Sequence, residues 1–432
     1  MSGAAPRPDA LEITPLRAPP DATVVLPGSK SLTNRALVCA AGAAGTSRLH
    51  GALFADDTRA MVGCLSALGA RVVGDEPAAE MVVTGGPLAR RAAVLDARQS
   101  GTTGRFVLPL AALGRAAILV DADAQLRARP FGPLLDALES LGVAVERGGP
   151  GGLPARVTGP LAGGEVALPG DVSSQFLSAL LLVGPLTREG LRVRLTSPLV
   201  SASYVAMTAA VMGAFGAHAS RAPDADNLLW APPGGYTATN YRIEPDASAA
   251  SYFFAAAAIT GGRVVVEGLG RHCLQGDLAF VELLARMGAE VHVGEERVEV
   301  RGAALRGITA DLSDCSDTAP TLAAVACFAE GPTRVTGIGF IRRKESDRIA
   351  APVAELRRAG VEAAEEADGF RVVPGPLHPA RLRTYGDHRL AMSFALLGLR
   401  QPGIVIEDPG CVEKTFPDYF ARLAELGSGT GP

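Results

Sequence analysis

Cysteine is scarce in this chain: six residues, Cys39, Cys64, Cys273, Cys315, Cys327 and Cys411, with no Cys-x-x-Cys pair among them. The six histidines show no ligand spacing either, so reduced thiols and no bound metal are expected. Excess positive charge is also missing, since 41 Lys and Arg against 45 Asp and Glu leave a net charge of −4. A general nucleic-acid binder is thereby disfavoured, because affinity for a phosphate backbone needs a basic face. Any anion site must be local. The N-terminal MSGAAPRPDALEITPLRAPP is broken by prolines and lacks a signal-peptide core, and no run of about 18 apolar residues occurs elsewhere. A soluble cytoplasmic protein without a membrane segment is expected, with loose ends at 1–10 and 428–432. Gly-x-Gly-x-x-Gly, a Walker loop and a Ser-His-Asp order are absent as well, which weighs against dehydrogenase, kinase and hydrolase chemistry.

What is present is repetition. At 432 residues and 48% hydrophobic content the chain can bury two or three cores. Glycines placed to end helices (Gly69, Gly142, Gly216, Gly288, Gly360, Gly427) recur at intervals of roughly 72 residues. A second signal shares that interval. Six small or polar clusters open largely apolar helices: GSKSLTNRALVCAAG, QSGTTGRFVLPLAALG, GDVSSQFLSALLLVG, PDASAASYFFAAAAITG, SDCSDTAPTLAAVACFAEG and GDHRLAMSFALLGL. Strand-like runs lie between them, among them Met81–Thr84, Leu191–Leu195 and Thr333–Thr336. Each unit reads as two helices and about four strands, and a helix that is apolar nearly all round is a buried one. Three units closing around three buried helices make one domain. Two such domains would meet near Tyr241–Pro245, with helix N-termini lining an interdomain cleft suited to anionic ligands.

The polar clusters differ in chemistry. In Pro27–Ala36 a turn and a helix start sit beside Lys30, Ser31 and Arg35, which together favour a phosphate or carboxylate. Gly101, Thr102 and Arg129 follow in the second unit, then Ser173, Ser174, Gln175, Ser201 and Tyr204 in the third. The last two units mix carboxylates with many cations: Asp317, the run Arg342–Arg348, Asp387–Arg389 and Lys414. An Arg at the start of a buried helix is costly unless an anion pairs with it. Cations for two anionic groups, with carboxylates for proton transfer, suit a transferase that joins two anionic small molecules.

GSKSLTNRAL, GDVSSQFL, RRKESDR, YGDHRLAM and KTFPDYF together resemble the 5-enolpyruvylshikimate-3-phosphate synthase family, in order and over nearly the whole chain. The resemblance implies a two-domain inside-out α/β barrel of six repeated units, three per domain, with the active site in the cleft. The domains would be 27–243, and 11–26 plus 244–427, the N-terminal strand returning to the C-terminal domain. The implied reaction transfers the carboxyvinyl group of phosphoenolpyruvate to the 5-hydroxyl of shikimate 3-phosphate and releases phosphate, with no metal or organic cofactor. Carried over residue by residue, shikimate 3-phosphate would be held by Lys30, Ser31, Arg35, Ser173, Ser174, Gln175, Ser201, Tyr204, Asp317 and Lys344. Phosphoenolpyruvate would meet Lys30, Gly101, Thr102, Arg129, Gln175, Arg348, Arg389 and Lys414. Asp317 is the implied base at the hydroxyl, and Glu345 or Lys30 the source of the proton on C3. A monomer is expected.

The family's usual Asn-Ala-Gly-Thr is here Gln99-Ser100-Gly101-Thr102, and Phe106 stands where proline is usual. Gly101 leaves room for the inhibitor glyphosate, while Phe106 could shift the helix start, so intermediate sensitivity is expected. The alternative is a UDP-N-acetylglucosamine enolpyruvyl transferase; Ser31 in place of Asn, and a loop Asp123–Arg129 without cysteine, speak against it. A non-catalytic six-repeat scaffold is more remote, given the cations at buried helix starts.

Overall fold

The computed structural model describes residues 8–222 and 225–427. They divide into two compact units: Pro27–Glu244, and the segment up to Leu26 joined to Pro245 and beyond. Loose ends expected at 1–10 and 428–432 fall mostly outside the described residues. Asp9 and Ala10, however, are tied down: the Asp408 N–H donates to the Asp9 carbonyl, and Ala10 opens a strand.

Three buried helices form the centre of each unit. Lys30–Gly42, Gly101–Ala111 and Ser174–Val183 pack together in the first; Ala247–Thr260, Ala319–Ala326 and His388–Gly398 do so in the second. Small polar side chains start them. Ser29 accepts from the Leu32 N–H at 3.4 Å, Ser100 from Thr103 at 3.2 Å, Asp246 from Ala249 at 2.9 Å and Asp387 from Arg389 at 3.0 Å, each satisfying an orphan donor of a helix's first turn. Because the apolar residues run all round, every side chain from Gly101 to Ala111 and from His388 to Gly398 is buried. Hydroxyls join the second trio, with Thr321 Oγ1 lying 3.2 Å from Ser251 Oγ and 3.4 Å from Ser393 Oγ. In the first trio an arginine, Arg35, occupies the interior.

Sheets surround each trio, and their pairing explains the repeat. A strand before a core helix runs parallel to the strand after it, which then pairs antiparallel with the next hairpin. Thus Ala93–Asp96 pairs parallel with Ile118–Asp121, Gly164–Leu168 with Leu191–Leu195, Thr309–Asp311 with Thr333–Thr336, and Ala380–Leu382 with Ile404–Glu407. Parallel neighbours require such a crossover, and a helix is its usual form. Two strands are exchanged. Asp21–Val24, which precedes the first core helix, pairs parallel with Arg263–Val266 after the fourth. Asn240–Arg242, which precedes the fourth, pairs parallel with Arg48–His50 after the first. Ala10–Glu12 completes the sixth sheet antiparallel to Val405–Glu407. The chain therefore passes between the units twice, at Leu26–Pro27 and Glu244–Pro245.

Five of the six helix-ending glycines have φ between 77° and 119°, a left-handed conformation that costs glycine little. Gly427 is the exception: its N–H donates to the Ala424 carbonyl without that turn.

Candidate active site

In the unit Pro27–Glu244, most sequence-predicted site residues lie at or beside a helix start, whereas Arg35 is one turn into its helix and Arg129 follows the end of the short helix Ala124–Arg127. Lys30 and Gly101 are the first residues of their core helices, and Ser173 caps the third, which Ser174 and Gln175 open. Ser201, at a left-handed φ of 52°, precedes the helix Ala202–Ala214 that carries Tyr204. The first turns thus present backbone N–H groups and the positive helix ends together with polar side chains.

Lys30 is held by a carboxylate that the sequence reading did not single out: its Nζ lies 3.1 Å from Oδ2 of Asp57, which is 1% exposed. Arg35, expected among the residues that hold shikimate 3-phosphate, is itself 1% exposed. Its Nε donates to Thr208 Oγ1 at 2.8 Å, Nη1 to the Ser31 carbonyl at 2.9 Å and Nη2 to the Tyr204 carbonyl at 3.2 Å. The guanidinium also stacks 5.3 Å from the Phe106 ring centroid. Burial pushes its pKa down to about 10, which still leaves it a cation at neutral pH. In this structure Arg35 holds the backbone of Ser31 and Tyr204, two of the expected ligands.

Arg105 was missed from sequence, where it reads as one more polar residue on an apolar helix. It is buried between the rings of Phe131 and Phe176. Its Nη1 donates to Gln175 Oε1 at 2.7 Å and its Nη2 to the Pro130 carbonyl, next to Arg129, at 3.2 Å. Gln175 Nε2 in turn reaches Thr102 Oγ1 at 3.5 Å. The amide orientation of Gln175 is thereby fixed. Space is short here: a Cβ on Gly101 would lie 2.7 Å from Nη1 of both Arg105 and Arg129.

The unit containing Pro245 gathers the charged set. Asp317 sits in the turn Ser316–Thr318 ahead of the fifth core helix. Its Oδ1 is 2.5 Å from Lys344 Nζ and 3.0 Å from Arg348 Nη1, and its Oδ2 is 2.7 Å from Arg389 Nη2. Burial pushes the Asp317 carboxyl up, but Arg389, Lys344 and Arg348 outweigh it and hold it well below the ordinary carboxylate range. Lys344 shifts down, because burial exceeds the opposing effect of Asp317. Arg348, 1% exposed, bonds Asp387 through Nε at 2.8 Å and Nη2 at 3.0 Å, and Glu345 through Nη2 at 2.9 Å. Burial would lower its pKa, but Asp387, Glu345 and Asp317 raise it. Arg389 also donates to Tyr252 Oη at 3.3 Å. Lys414, 4% exposed, ends the turn Pro409–Lys414.

The structure therefore brings Asp317, Lys344, Glu345, Arg348 and Arg389 into one connected network within 3.0 Å contacts. A further carboxyl, Asp277, is hydrogen-bonded by Ser248 Oγ and was not predicted. Burial, and then the charge of Asp317, raise it to about 6. Among the described residues no three His, Cys, Asp or Glu side chains are grouped to hold a metal ion, and no helix is long and apolar enough to cross a membrane.

The chain is similar to known proteins over nearly its whole length. A 3-phosphoshikimate 1-carboxyvinyltransferase of Nostoc punctiforme is 44% identical over 424 residues, 97% of this chain and 99% of its own. One of Yersinia ruckeri is 41% identical over 415 residues, covering 94% and 96%. The solved EPSP synthase of Acinetobacter baumannii superposes with a TM-score of 0.81 at 26% identity, over 97% of this chain and 98% of that one. The enolpyruvyl transferase NikO of Streptomyces tendae shares the fold, with a TM-score of 0.75 at 20% identity over 97% of each. The family model for EPSP synthase (3-phosphoshikimate 1-carboxyvinyltransferase) matches residues 17–423, from the returning N-terminal strand to the last helix, and the chain belongs to that family.

Proposed function

We propose that this protein transfers the carboxyvinyl group of phosphoenolpyruvate to the 5-hydroxyl of shikimate 3-phosphate, releasing phosphate, as a monomer in the cytoplasm. The observation that carries the reading is the meeting of Lys344, Arg348 and Arg389 on Asp317. It sets a proton acceptor and anion-binding cations at one point, which an addition to an anionic enol requires.

Ser31, Ser173, Ser174, Ser201, Tyr204 and Lys344 bind shikimate 3-phosphate, with Arg35 fixing the backbone of Ser31 and Tyr204. Lys30, Gly101, Thr102, Arg129, Arg348, Arg389 and Lys414 surround the carboxylate and phosphate of phosphoenolpyruvate, and Gln175 contacts both substrates. Forked guanidinium pairing favours arginine at such groups. In addition, the 5-oxygen attacks C2 while its proton passes to Asp317, and C3 gains a proton from Glu345 or Lys30. The tetrahedral adduct then returns a C3 proton to the group that supplied it and expels phosphate from C2, giving the enol ether. Held by three cations, Asp317 is a weak base; as substrate anions draw those cations away, its affinity for a proton rises.

Phosphate release from phosphoenolpyruvate, measured with shikimate 3-phosphate, with UDP-N-acetylglucosamine and with no acceptor, tests this. Release only with shikimate 3-phosphate is expected; release with the UDP-sugar alone would overturn the acceptor, and none with either would overturn the enzyme.

A further inference from the structure

Glu355 is a charged residue with no exposed surface that the reaction above does not use. A buried carboxylate is tolerated only when its acceptors are filled, and three donors fill these. Arg358 Nε, in the same helix Ala350–Arg358, lies at 3.0 Å; the Arg383 backbone N–H lies at 3.1 Å and Tyr385 Oη at 2.8 Å. The last two come from the segment that follows the strand Ala380–Leu382. That segment turns at Tyr385, φ 57°, and Gly386, φ 65°. A left-handed conformation is disfavoured for tyrosine, so the phenol bond to Glu355 helps to keep the turn. The turn closes with the Asp387 N–H on the Thr384 carbonyl at 2.9 Å. Asp387 then takes the Arg348 fork, accepts from Ser346 Oγ at 2.8 Å and caps the helix that starts with His388 and Arg389.

The helix carrying Glu355 begins two residues after Arg348. Glu355 and Tyr385 therefore link the segment of Arg348 to the segment of Arg389 a second time, behind the Arg348–Asp387 pair. We propose that Glu355 and Tyr385 are positioning residues that set the Tyr385–Asp387 turn, and through Asp387 the spacing of Arg348 and Arg389 around the enolpyruvyl donor. The inference rests on the roles of Arg348 and Arg389 given under Proposed function.

Tyr385→Phe removes one hydrogen bond from a ring that is 44% exposed, so the fold is kept. Glu355→Gln tests the other end of the link. Tyr385→Phe is expected to raise KM for phosphoenolpyruvate about three- to tenfold, the range of one hydrogen bond, with KM for shikimate 3-phosphate changed by less than about twofold. Adding Glu355→Gln should then raise it by less than the product of the two single effects, since the two substitutions share the Tyr385–Glu355 bond. An unchanged KM for phosphoenolpyruvate in Tyr385→Phe, or an equal rise in both KM values, overturns the proposal. The unsubstituted protein separates the two readings: its failure to release phosphate with both substrates rejects the function, whereas its normal turnover beside an unaffected variant rejects only the positioning role.

Discussion

Single residues here do different work from what their type suggests. Asp317 is a carboxylate whose two oxygens are taken by three cations, so it holds them together, and the proposed reaction also asks it to accept a proton. Asp317→Ala should lower kcat by about a hundredfold or more, the usual scale for a general base, while shikimate 3-phosphate binding measured by calorimetry weakens far less. An equal loss in both would reject the base role. Asp317, Lys344, Glu345, Arg348 and Arg389, which the structure joins in one network, were legible in the sequence because they stand in distinctive clusters. Asp57, Arg105 and Asp277 were not: each lies in an ordinary stretch, and its partner (Lys30, Gln175 and Ser248 respectively) is remote in sequence.

At the scale of an element, the second core helix carries the departure from the family pattern. Phe106 is 1% exposed and supports the Arg35 guanidinium from one turn below Gly101 and Thr102. Proline there would remove both that ring and a backbone donor from a helix that already contains Pro109. Phe106→Pro is expected to shift the glyphosate concentration for half inhibition several-fold, with KM for phosphoenolpyruvate moving alongside. An unchanged inhibition curve would reject the idea that Phe106 sets the position of the helix start. The helices themselves were readable from their caps and apolar runs, and so were strands such as Leu191–Leu195 and Thr333–Thr336, whose length and β-branched content match the pattern.

For the whole molecule, pH dependence of stability follows from two buried carboxyls of opposite sign. Asp277 is raised from 3.8 to about 6 by burial and then by Asp317. The folded protein holds a proton there that the unfolded chain has released, so this contribution is complete below pH 3.8 and declines as pH rises to about 6. Asp317 is shifted downward, so its contribution is present above 3.8 and lost as pH falls below that value. Asp277→Asn removes the first effect and leaves the cation partners of Asp317 in place. The melting midpoint at about pH 7 relative to that at about pH 4 should rise by a few degrees compared with the unsubstituted protein; an identical pH profile would reject the assignment. The exchange of Asp21–Val24 and Asn240–Arg242 belongs to this scale as well, since the chain crosses between the units twice.

The sequence alone determined the number of units, the buried helices and the chemistry at their starts, because caps, apolar periodicity and charge clusters are local properties of the chain. Tertiary structure decided which strand pairs with which, since the strands exchanged between units look no different from those that stay. It also decided that Arg35 holds the Tyr204 backbone inside a core, that Arg105 fixes Gln175, and that Glu355 fastens the turn ahead of Asp387. Each of these depends on desolvating a charge against a partner far along the chain, and the strength of such a contact is set by burial and distance, which sequence spacing does not encode.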